Sequence, residues 1–103
     1  MGSATGDREA WIPITGVPAA MAQGGPLAAV YAGLRAAAAG RPAIYSAPTG
    51  DAPNIIRCHS LDPEGMRLAF TLSGALHWSD GALPWRLREM VNTVTSRAND
   101  CFY

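Results

Sequence analysis

Gly25-Pro26 and Gly40 bracket the segment that most restricts how this chain can fold. Glycine is a tolerable N-cap, proline is suited to the first helical position, and a glycine just past the last turn stops a helix. Between them Leu27, Val30, Tyr31, Leu34 and Ala38 recur at the 3.6-residue period of one face. A helix is therefore predicted over Pro26–Ala39. Its opposite face holds Ala28, Ala29, Ala32, Gly33, Ala36 and Ala39, with Arg35 its only charge. Two readings of that face stay open: a surface smooth enough for another backbone to approach, or plain alanine-rich composition.

The segments around this helix read differently. Residues 1–9 are small and polar and are expected to be disordered. Trp11–Thr15 is short, apolar and broken by Pro13, which suits an edge strand or an extended segment laid on the core. Residues 16–25, rich in Gly, Pro and Ala, read as a loop or an irregular helical turn. Pro42–Ala47 and Asn54–Leu61 are β-favouring and are read as strands, joined by the loop 48–53. Asp62-Pro63-Glu64-Gly65 has the residues of a type I turn. Met66–Ser73 then alternates, with Met66, Leu68, Phe70 and Leu72 on one side and Arg67, Ala69, Thr71 and Ser73 on the other. Ala75–Trp78 is expected to extend this sheet. A second helix is predicted over Pro84–Ala98, with Leu83, Leu87, Met90, Val91, Val94 and Ala98 as its core stripe. The expected fold is α+β: an antiparallel meander of three to four strands with two helices on one face, in a single domain spanning 10–103.

Composition bears on function mainly by exclusion. The charged fraction is 16%, against an average of about 25%, so much of the surface is neutral and suited to being covered. Net charge is zero and the eight basic residues, all arginine, are dispersed. Nucleic acid is thus a disfavoured partner. From Ala10 to Leu34 no side chain is charged, but Pro13, Pro18, Gly24, Gly25 and Pro26 interrupt the stretch too often for a membrane span. Cys58 and Cys101 lack C-x-x-C spacing and fit a reducing, cytoplasmic compartment.

No catalytic motif is present, and neither a metal nor a cofactor is expected. His59 and His77, with the two cysteines, lack zinc spacing. In a strand Cys58 and His59 point to opposite faces, so Cys58 is expected to be a buried structural residue and not the partner of His59. The acids Asp51, Asp62, Glu64, Asp80, Glu89 and Asp100 fall mostly in turns, and no pair has spacing that argues for acid–base work. The reading that results is a non-enzymatic protein-interaction or regulatory/inhibitor module of bacterial or phage type, binding a protein partner or a second copy of itself. Its anchors would be Tyr31, Trp85, Phe102 and Tyr103, with Arg86 and Arg97 at the rim. The alternative is a ligand-binding or enzymatic cluster of Tyr45, Arg57, His59 and Arg67 on the open sheet face, where arginine forks would hold a carboxylate or phosphate.

Overall fold

A computed structural model describes residues 10–40, 50–79 and 81–101. The expected disorder of 1–9 and the strand at 42–47 lie outside the described residues. Five helices account for 65% of the described residues, with no strand among them. The expected α+β meander is therefore wrong. The helices are α1 (Val17–Gln23), α2 (Pro26–Ala38), α3 (Asn54–Arg57), α4 (Pro63–His77) and α5 (Trp85–Ala98).

The reason lies at Asp62. Asp-Pro-Glu is a turn opening, but it is equally an N-cap, a first-position proline and a first-turn acid. Here it starts α4: Asp62 Oδ1 accepts the Gly65 N–H at 3.0 Å and the Asp62 carbonyl accepts the Met66 N–H at 2.9 Å. A Cβ on residue 65 would crowd Asp62 Oδ2, so a larger residue there would make the capping carboxylate shift. Once the helix is started, the alternating apolar residues serve two faces. Met66 is fully buried and Phe70, Gly74 and His77 are half-buried along one side, while Leu68, Leu72 and Leu76 are exposed. The second expected strand is likewise helical at its start. The Pro53 carbonyl accepts the Ile56 and Arg57 N–H groups, opening α3. Replacing Asp62 with alanine should lower stability by about 0.5–2 kcal/mol through the lost cap, measurable as a lower denaturant midpoint with an unchanged slope.

The chain divides into two compact units, one ending at Ala69 and the other beginning at Phe70. In the first, α1 packs against α2, with Ala20, Val30 and Tyr31 buried. Gly24 and Gly25 have φ of 70° and 87°, which lets the chain reverse direction between the two helices. The α2 stripe is the predicted one, with Leu27, Leu34 and Ala38 half-buried beside Val30 and Tyr31, whereas Ala29, Ala32, Gly33 and Ala36 are exposed.

The residues before α1 form no strand. They are fastened by side chains from elsewhere in the unit. Buried Ser60 accepts the Thr15 N–H at 2.8 Å, and Tyr31 donates its hydroxyl to the Thr15 carbonyl at 2.6 Å. Asp51 Oδ1 accepts from Val17 N–H at 2.9 Å and from Ala52 N–H at 2.7 Å. Burial pushes the Asp51 carboxyl up, but those two N–H groups and the Arg57 charge outweigh it and hold its pKa below the ordinary value. A folded pKa below the unfolded one means the unfolded chain binds more protons in that window. The stability Asp51 contributes is thus complete above about pH 3.9 and is lost as pH falls through the lower folded value. Urea midpoints should fall with pH across that range, and Asp51→Asn should flatten this part of the profile.

Candidate active site

Local sequence brings five polar and aromatic side chains of the second unit together. Helix α4 ends on His77, Trp78 follows, and Pro84 caps α5 at Trp85. On α5 the residues Trp85, Glu89 and Asn92 share one face by helical spacing. That face meets the end of α4. His77 Nε2 lies 2.5 Å from Glu89 Oε1, and Asn92 Nδ2 lies 2.8 Å from His77 Nδ1. The Trp78 ring stands edge-on to the imidazole, with centroids 4.7 Å apart at 83°, and stacks on Trp85 at 5.7 Å and 23°. Arg88 secures the connection, donating from Nε to the Leu83 carbonyl at 2.9 Å and from its terminal nitrogen to the Ser79 carbonyl at 2.5 Å.

The His77 and Glu89 side chains are 17% and 31% exposed. They are partly withdrawn from water. An imidazole bound to a carboxylate at this distance, beside indole rings, is an arrangement that can hold and move a proton. No group of three or more metal-ligating side chains occurs among the described residues.

Two of the residues expected to anchor an interaction surface make contacts within their own units. Tyr31 is buried in the first unit with its hydroxyl committed to Thr15. Trp85 is stacked on Trp78 within the site. Arg86 and Arg97 are exposed on α5, and Phe102 and Tyr103 lie outside the described residues. The expected core stripe of α5 is also misplaced. Leu87, Met90, Val91 and Val94 are 39–68% exposed, because hydrogen bonds and indole stacking turn the Trp85–Glu89–Asn92 face toward α4.

The alternative cluster loses the sheet that would have gathered it. Arg57, at the end of α3, hydrogen-bonds Asn54 and pairs with Asp51 at 3.8 Å. His59 Nδ1 meets the Ile55 carbonyl at 2.8 Å. Arg67 forks onto Glu64 one helical turn away, at 3.0 and 2.6 Å, and Tyr45 lies outside the described residues. Cys58 is exposed, not buried, and its Sγ is 3.4 Å from His59 Nδ1. A helical turn brings together two neighbours that a strand would have separated.

The His77–Glu89 pair itself went unrecognised in the sequence. Its signal is a histidine closing one helix and an acid in the second turn of the next, which is visible only once residues 63–77 are read as helical.

In this unit the end of α4 and α5 thus meet at a carboxylate–imidazole pair. Residues 63–103 match the carboxymuconolactone decarboxylase family. The matched segment is less than half of the chain, but it contains α4, α5 and every residue of the site. No curated protein and no solved structure matches the chain. This likeness to a family of enzymes overturns the expectation of a non-enzymatic interaction module. No helix among the described residues is long and apolar enough to cross a membrane.

Proposed function

We propose that this protein is an enzyme that removes CO2 from a carboxylated lactone, using His77 and Glu89 to supply the proton that replaces the carboxyl group. The observation that carries the reading is the 2.5 Å contact between His77 Nε2 and Glu89 Oε1 inside the segment similar to the decarboxylase family.

The chemistry fits these groups. When the C–C bond to the carboxylate breaks, its electron pair is left on the lactone and delocalises toward the ring carbonyl. A ring carbon must then receive a proton, and a positioned acid contributes about 10²–10⁴-fold to such a step. The stacked indoles of Trp78 and Trp85 offer a planar apolar wall for an unsaturated ring. The free thiols of Cys58 and Cys101 support a reducing, cytoplasmic location. The test is CO2 release from carboxymuconolactone mixed with the purified protein. Release in step with lactone consumption is expected; none at high protein concentration would overturn the reading.

A further inference from the structure

We infer that the side-chain amide of Asn92 fixes the tautomer of His77, with the ring proton on Nε2 and directed at Glu89. The tautomer follows from geometry; its use in catalysis rests on the proposed reaction.

Asn92 presents its amide nitrogen to His77 Nδ1 at 2.8 Å. An amide nitrogen donates and does not accept, so Nδ1 carries no proton. The single ring proton of the neutral imidazole then sits on Nε2, which donates to Glu89 Oε1 at 2.5 Å. An imidazolium would set N–H against N–H at Nδ1. The Glu89 carboxylate is thus met by an Nε2–H already aimed at it. Asn92 is a positioning residue for the His77–Glu89 pair.

The tautomer is read directly by long-range proton–nitrogen correlation spectra of the histidine rings in the intact protein near neutral pH. There are two histidines, so His59→Gln assigns the signals. His77 is expected as a neutral ring protonated at Nε2 alone. In Asn92→Ala that single pattern should give way to a mixture of tautomers. Asn92 is exposed on a helix, where alanine is the better helix former. Protonation of Nδ1 in the wild type, or an unchanged spectrum in Asn92→Ala, would overturn the role given to the amide. The outcome is independent of turnover: a protein that releases no CO2 yet shows this tautomer refutes the reaction and leaves the amide's role standing.

Discussion

Glu89→Gln lowers the rate of lactone decarboxylation by about 10²–10⁴-fold, the usual worth of a positioned proton donor. Glutamine keeps the shape of the side chain and still accepts a hydrogen bond from His77 Nε2, so the local packing of α5 against the end of α4 persists. What it cannot do is take up and release a proton. The loss should therefore appear in kcat with KM little changed, because substrate binding against the indoles is untouched. Thermal unfolding should match the wild type, since Glu89 is partly exposed and its replacement leaves no buried charge behind. A comparable fall in unfolding temperature would mean that the pair is a structural tie.

Met66→Ala destabilises the protein by about 2–5 kcal/mol, the cost of emptying a fully buried methionine site. Met66 is 0% exposed, the most completely buried large side chain among the described residues. The informative comparison is with Leu68, which is 54% exposed. In a strand, residues 66 and 68 point the same way and both truncations would be severe. In a helix they lie about 200° apart. Leu68→Ala should then change stability by no more than about 0.5 kcal/mol. Chemical denaturation of the two variants separates the helical account of residues 63–77 from the alternating one.

Those same residues show why some of the fold could be read in advance and some could not. The helix α2 was legible because Gly25-Pro26 and Gly40 punctuate it and its apolar period admits one interpretation; it ends at Ala38, one residue short of the expected Ala39. The helix α5 was legible for similar reasons, and begins at Trp85 after Pro84. The helix α4 was not. Asp62-Pro63-Glu64-Gly65 satisfies both a turn and a helix start, and Met66, Leu68, Phe70 and Leu72 satisfy both a period of two and two helical faces. Gly65 and Gly74 further weaken the helical signal. The Asp62 cap is local but reads equally as a turn; the choice between the readings is made by burial of Met66, which is not a property of local sequence.

The site was lost by the same error. With His77 assigned to a strand and Glu89 treated as one acid among several, nothing brought them together. Trp85, expected as an interaction anchor, stacks on Trp78 and keeps 39% of its surface exposed. The exposed stripe of α5 shows the limit of reading an amphipathic helix by period alone. The period finds the two faces but does not say which of them meets the rest of the unit.

The central claim is that His77 and Glu89 act as one proton-transferring unit, and a double-mutant cycle tests it most directly. Decarboxylation rates would be measured for the wild type, Glu89→Gln, His77→Gln and the double variant. If the pair works as a unit, the double variant is no slower than the slower single variant, because removing either member disables both. If the two losses multiply in full, the residues act independently and the account is contradicted.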